Sequence, residues 1–266
     1  MKNKTISNVF DINDGIKNKG KEFFMNIYNE LKERLKNIVL ENNLFEDQVF
    51  ITTKSLNPKE AIGETKRKDF PILNGKENMI EAKFKGSTGQ AFTSSPSIFQ
   101  GSLSEVLTLD LNDDYNKAIF IATSNAILKY LGLIESTVHC KNEEPELCGE
   151  KHLNYLKEFY SDSKIALVGF QPSILEHIKD NFHVRVLDLN ADNIGKIKYG
   201  TLIEDGKKDY QSVIDWADIV LCTGSTICNG SIVNFLNLNK KVIFYGTTIA
   251  SAAYILGLKR VCFYGK

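Results

Sequence analysis

The chain of 266 residues is 42% hydrophobic and 25% charged, the balance of a soluble globular protein with one large domain or two modest ones. Its 33 Lys and Arg match its 33 Asp and Glu, so no net field draws in nucleic acid or an anionic membrane, and neither is an expected partner. The arginines are only Arg34, Arg67, Arg185 and Arg260, which argues against an arginine-built phosphate clamp.

Residues 1–20 hold no apolar core of signal-peptide length, and no run nears about 18 apolar residues. Five cysteines, an odd number without an export signal, fit reduced thiols. A cytoplasmic location is the expectation.

In chain order, residues 20–43 read as an amphipathic helix, with Phe24, Ile27, Tyr28, Leu31, Leu35, Ile38 and Val39 at helical spacing. The stretches 48-QVFITTKSL-56 and 78-NMIEAKFKGSTGQAFT-93 read as strands, joined by a Lys-rich connection with Pro71 and Gly75. Gly86 and Gly89 bracket a small polar turn within the second, the signature of a bulge or close backbone approach. Helical patterns follow around Ser102–Leu109 and from Asp114 to Leu131. The latter is apolar on almost every side, so Asn125 within it must find partners or cost a few kcal/mol. It either ties the helix to a neighbouring loop or meets a ligand. A helix, a small sheet and further helices make the first half α+β.

Beyond a linking helix near 150–163 the pattern changes. IALVGF (165–170), VRVLDLN (184–190), DIVLCTG (218–224), KVIFYG (241–246) and RVCFYG (260–265) are short apolar runs separated by helical or polar segments. Such runs signal a parallel sheet covered on both faces, and right-handed crossovers make a Rossmann-like wrap the expected architecture. The expected fold is therefore α/β in two domains, 1–150 and 151–266.

Ligands of such sheets sit at the carboxyl ends of the strands. The first turn, Gly169-Phe170-Gln171-Pro172-Ser173, lacks the second and third glycines of a dinucleotide fingerprint, so NAD is disfavoured. Asp188 ends the second strand where an acid commonly holds a ribose hydroxyl, and a solvated strand-end Asp is the plain alternative. Thr223-Gly224-Ser225-Thr226 offers hydroxyls, room for close approach and a following helix N-terminus, with Asn229 and Gly230 beyond. The plain alternative is simple helix capping. Gly246-Thr247-Thr248 after the next strand favours a site.

VGFQPSI, LDLN, DIVLCTGSTICNGSI and VIFYGTT, in this order, resemble the C-terminal domain of the putative heavy-metal chelation family, with TGST-x-x-NG the most specific element. In that family a Rossmann-like domain follows a smaller domain resembling the N-terminal domain of enolase. Residues 86-GSTGQAFT-93 and Ser124-Asn125-Ala126 fit that first part. The resemblance implies an α+β enolase-N-terminal-like domain, then a Rossmann-like parallel-sheet domain, with a site between them. It points to Gly89, Gln90, Asn125, Gly169, Asp188, Thr223, Gly224, Ser225, Thr226 and Asn229 as ligand-binding residues. Gly246 joins them from the strand-end reading. Enolase chemistry is not implied, since its catalytic residues belong to a barrel domain.

The stretch 139-HCKNEEPELCGEKH-152 gathers His139, Cys140, Cys148 and His152, soft ligands that suit zinc, iron or copper. If helical, Cys148 and His152 share a face. Against a metal site stand the unusual seven-residue gap between the cysteines and the adjacency of His139 and Cys140, while Glu143, Glu144 and Glu146 read equally as a solvated loop. His139, Cys140 and Cys148 are the candidate ligands of a transition or heavy metal ion. Cys222 reads as core, Cys228 as able to face the site, and His177 and His183 as surface residues.

The leading expectation is a binding or chelation protein for a metal or a metal-bearing small ligand. The alternative is an enzyme using a nucleotide-like small molecule at the Rossmann-like strand ends. Whether turnover occurs stays open, and homo-oligomer formation stays open with it.

Overall fold

The computed structural model describes residues 12–45, 50–74 and 77–266. Residues 1–11, Gln48, Val49 and Gly75 lie outside them. Helix α1 (Ile12–Glu41) carries the amphipathic pattern and starts earlier than residue 20. Ile27, Tyr28, Leu31, Leu35 and Val39 are buried on one face, as a 3.6-residue period requires. The Tyr28 hydroxyl donates to the Ile227 carbonyl at 2.5 Å, and Arg34 donates to the carbonyl of Ile255 at 2.9 Å. The first helix is thus anchored on the second half of the chain.

Strands β1 (Phe50–Leu56), β2 (Asn78–Phe84), β3 (Ser87–Thr93) and β4 (Phe99–Ser102) form an antiparallel sheet in the order β3-β2-β1-β4. The stretch 78–93 is therefore not one strand but a hairpin. Lys85 and Gly86 take positive φ of 46° and 86°, a two-residue turn whose twist matches the flanking strands. Helix α2 (Pro58–Ile62) starts at an Asn57 capping box and α3 (Leu103–Thr108) at a Ser102 capping box.

Helix α4 (Asp114–Tyr130) is capped by Asp113, and every residue from Lys117 to Leu128 is buried. It presses against the antiparallel sheet at Gly89. A Cβ there would sit 2.3 Å from both the Ala122 carbonyl oxygen and the Ala126 amide nitrogen, so only glycine permits the contact. Gly89→Val should cost about 3 kcal/mol or more by forcing helix and sheet apart. A urea midpoint equal to wild type would contradict this.

The second half builds α5 (Glu144–Tyr160), β5 (Lys164–Val168), α6 (Pro172–Ile178), β6 (His183–Asp188), β7 (Ile197–Lys198), β8 (Thr201–Asp205), α7 (Tyr210–Trp216), β9 (Ile219–Thr223), α8 (Val233–Leu236), β10 (Lys241–Tyr245), α9 (Ala250–Leu256) and β11 (Arg260–Val261). The sheet order is β11-β10-β9-β5-β6-β8-β7. All pairs are parallel except the terminal β7–β8 hairpin. Numbered within this half, the parallel strands run 6-5-4-1-2-3, the doubly wound order whose crevice opens between β5 and β9. An antiparallel and a mostly parallel sheet in succession make the chain a mixed α/β protein, as expected.

One apolar cluster joins α1 and α4 to one face of the parallel sheet, including Phe244, Ile249 and Ala252. The chain end is stitched back as well. Val138 and Lys266 exchange backbone hydrogen bonds of 2.8 and 2.9 Å, and Arg260 donates to the carbonyls of Glu135, Ser136 and Gly246. These bonds fix the loop before α5 beside β11. Among the described residues no helix is long and apolar enough to cross a membrane.

Candidate functional site

At the crevice between β5 and β9 lies a cavity of about 620 Å³. Its floor is the set of strand-end turns: Gly169 to Gln171, Asp188, Thr223 to Thr226 with Asn229, and Gly246 to Thr248. Its roof comes from the first half, through Ile62, Phe70 to Ile72, Glu77 and Phe92. One wall holds His139, Cys140, Cys148, His152 and Cys262. The thiol-imidazole stretch and the TGST turn, far apart in sequence, therefore face one cavity.

The floor is organised by its own hydrogen bonds. The Asp188 carboxylate accepts from the amides of Phe170 at 3.0 Å and Asn190 at 2.7 Å, and from the Asn193 side chain at 3.2 Å. Both of its oxygens thus hold turns in place. Gly169 has φ of 83°, and a Cβ on it would meet the Thr223 methyl at 2.7 Å. The β5 and β9 turns can touch only through this glycine.

The TGST turn is a single 3-10 turn, Gly224–Ile227, and the next helix, α8, has four residues. The helix N-terminus expected to present free N–H groups is therefore too short to contribute a useful dipole. Gly224 also owes its identity to packing, since a Cβ would lie 2.9 Å from the Ile249 side chain. Thr223 and Ser225 pair their hydroxyls at 3.1 Å, and Thr226 donates to the Thr223 carbonyl at 2.8 Å. The Asn229 side-chain oxygen accepts from the Ser231 amide and hydroxyl. Gly246 has φ of 95° and open space where a Cβ would stand.

The soft-donor wall follows from α5, which begins at Glu144, earlier than the sequence suggested. Cys148 and His152 share its face, with Sγ 3.6 Å from Nδ1. Cys140 Sγ lies 3.8 Å from His139 Nδ1, so adjacent residues turn to the same side after all. Each imidazole Nδ1 is 2.7 Å from a carbonyl, that of Cys140 for His139 and that of Cys148 for His152. Nδ1 therefore carries the proton and Nε2 keeps its lone pair. His152 is 1% exposed, yet its Nε2 has no hydrogen-bond partner, and the buried Thr247 hydroxyl has none either. Two unsatisfied polar atoms on residues lining one cavity call for a polar partner there, a water or a ligand.

Interaction between the Cys140 and Cys148 thiols lowers the Cys148 pKa and raises that of Cys140, and the neighbouring His152 also lowers that of Cys148. Burial pushes the Cys262 thiol up and keeps His139 neutral by lowering its pKa. Sulfur and imidazole donors fit a soft metal. Among the described residues, however, no group of three or more His, Cys, Asp or Glu side chains is arranged to hold a metal ion.

Three expected site residues stand behind the cavity. Gly89 sits under α4, as described. The Gln90 side chain accepts from the His139 amide at 2.8 Å and donates to Glu81 at 2.8 Å, so it positions the His139 loop. Asn125 is fully buried and ties α4 to the Thr247–Thr248 turn. Cys228 is packed in the core. Glu146 is not a solvated loop residue, because Arg67 grips its carboxylate with bonds of 2.7 and 2.9 Å. Arg67 also pairs with Glu176 and bonds the Tyr199 hydroxyl, clamping residues 65–70 over α5 and α6.

Glu77 escaped the sequence reading, because Asn-Gly-Lys-Glu-Asn looks like a solvated turn. Burial, and secondarily the charge of Asp188, push its carboxyl up to about 7. Lys117, buried in the lining, is paired with Asp114 at 2.5 Å, and among the described residues no arginine lines the cavity.

Fold and cavity define an α/β protein with a cavity at a doubly wound switch point. Residues 153–259, most of the parallel-sheet half, match the model of the DUF364 family, described as putative heavy-metal chelation. A solved DUF364 protein of unknown function from Pyrococcus horikoshii is similar, with 17% identity over 82% of this chain and 79% of that chain and a TM-score of 0.47. Another, from Desulfitobacterium hafniense DCB-2, shows 11% identity over 68% of this chain and 72% of that chain, with a TM-score of 0.44. No curated protein matches the chain.

Proposed function

We propose that this chain binds a small organic ligand carrying a soft metal ion, and that the two halves, 1–150 and 151–266, close over it. One observation carries the reading: a cavity of about 620 Å³ sets soft donors on one wall against a hydroxyl-rich floor. That volume is typical of small-molecule sites, and a bare ion would leave most of it empty. Cys140 and Cys148 would complete the metal's coordination. Thr223, Ser225 and Thr247 would meet the ligand's polar edge, and the acidic Glu77 and Asp188 favour a neutral or cationic body over an anionic one.

The test is titration of zinc into anaerobically purified protein, beside a Cys140→Ser/Cys148→Ser variant. Loss of both thiols should weaken zinc binding beyond the about 10–100-fold that loss of an outer partner costs. Equal affinities would remove the thiols from the site. A second reading, an enzyme acting on a nucleotide-like or other small substrate, is favoured by Glu77. A carboxyl that titrates near neutrality inside a cavity suits proton transfer.

A further inference from the structure

We propose that the cavity selects a ligand with a basic nitrogen, and that the Glu77 carboxylate receives its protonated amine or amidine. The inference rests on the reading of the cavity as a site for an organic ligand, and it does not depend on the metal.

Three observations carry it. Glu77 lines the cavity from the roof, and its carboxylate makes no hydrogen bond or ion pair with a described residue. Asp188, the other acid of the lining, is already engaged by the amides of Phe170 and Asn190 and by the Asn193 side chain. Glu77 is therefore the acidic group left open to a ligand. The lining also offers little to an anion. Lys117 is held by Asp114, Lys207 is exposed to solvent, and among the described residues no arginine is present there. Finally, the Thr247 hydroxyl is buried without a partner and can accept from a further N–H of the ligand.

The energetics favour an organic cation over its neutral or anionic counterparts. Burial raises the Glu77 carboxyl to about 7, a sign that the protein itself compensates this charge poorly. A bound ammonium or amidinium supplies the compensation through a charge-assisted hydrogen bond, roughly twice as strong as a neutral one. The rings of Phe70, Phe92 and Phe170 line the same cavity and suit a flat apolar body beside the charged end. A bare hard cation fits poorly. It takes about six or more oxygen ligands, and Glu77 alone of the lining acids is open.

The experiment titrates benzamidine, benzamide and benzoate into the chelator-washed full chain at pH 8, where Glu77 is ionised, and reads the affinities by calorimetry. The three probes share size and shape and are cationic, neutral and anionic. Benzamidine should bind at least about tenfold more tightly than either of the others. Glu77→Gln, which keeps the side-chain shape, should lose that advantage and leave benzamide unchanged. Calcium should not displace benzamidine. Tighter binding of benzoate, equal affinities for the three probes, a benzamidine preference that survives Glu77→Gln, or displacement by calcium would each overturn the proposal. Any binding of benzamide or benzoate would still leave the cavity an organic-ligand site. No binding of any probe at millimolar concentration would overturn both readings, while zinc binding by the cysteines is measured separately on the same chain.

Discussion

Asn125→Leu is expected to destabilise the folded chain by about 3–6 kcal/mol, the largest effect of any single polar substitution considered. The side chain is completely buried. Its amide donates to the carbonyls of Gln90 at 3.0 Å, Thr247 at 3.3 Å and Thr248 at 3.0 Å, and its oxygen accepts from the Ser251 amide at 2.8 Å. Leucine has a similar volume but would leave the Ser251 N–H without its acceptor in the core and take a donor from three carbonyls, of which that of Thr247 keeps the Ala250 amide at 3.1 Å; each group left unsatisfied costs about 1–3 kcal/mol. Aspartate would be no better, because its carboxylate would face three carbonyl oxygens. The damage reaches the cavity, since Thr248 also accepts the Phe92 amide at 2.9 Å and joins β3 to the floor. Urea denaturation measures the loss, and an unchanged midpoint would refute this account of the residue.

Glu77→Gln should act in the opposite direction and depend on pH. The folded carboxyl titrates at about 7, against an ordinary value of 4.5, so the folded state binds its proton more tightly than the unfolded state. Below about pH 4.5 both states are protonated and Glu77 carries no penalty. As pH rises from there towards 7, the unfolded state ionises first and stability falls. Above 7 the penalty is complete, up to about 3 kcal/mol. Gln removes it. The variant should be more stable than wild type at pH 8 by up to that amount, and equal to it at pH 4. Parallel pH profiles of the two urea midpoints would contradict the assignment. A carboxyl that costs stability in a cavity wall is the kind of group retained for function rather than for folding.

The parallel sheet was legible because its strands are buried on both faces and read as continuous apolar runs. The β7–β8 hairpin was missed because TLIED, on the sheet's edge, alternates weakly. The hairpin at 85–86 was missed because lysine, not asparagine or aspartate, precedes the turn glycine. The floor of the site was legible for a local reason, since Gly169, Asp188 and the TGST turn all end strands. Its wall and roof were not. What joins Cys140 to Cys262 is the pairing of Val138 with Lys266, and what brings Phe70 over the crevice is the grip of Arg67 on α5. Both are contacts between distant residues that no spacing encodes. Asn125 stands out in the sequence as a polar residue in an apolar helix, and Gln90 is named only by the family resemblance; the structure places both behind the cavity, supporting it.

The most direct test of the central claim is native mass spectrometry of the anaerobically purified chain, compared with the same sample denatured. The account predicts an excess mass in the native form larger than any single metal ion, with an organic fragment and a metal isotope pattern both released on denaturation. A bare metal ion alone, or identical native and denatured masses after purification from cells and after incubation with metal-loaded extract, would contradict it.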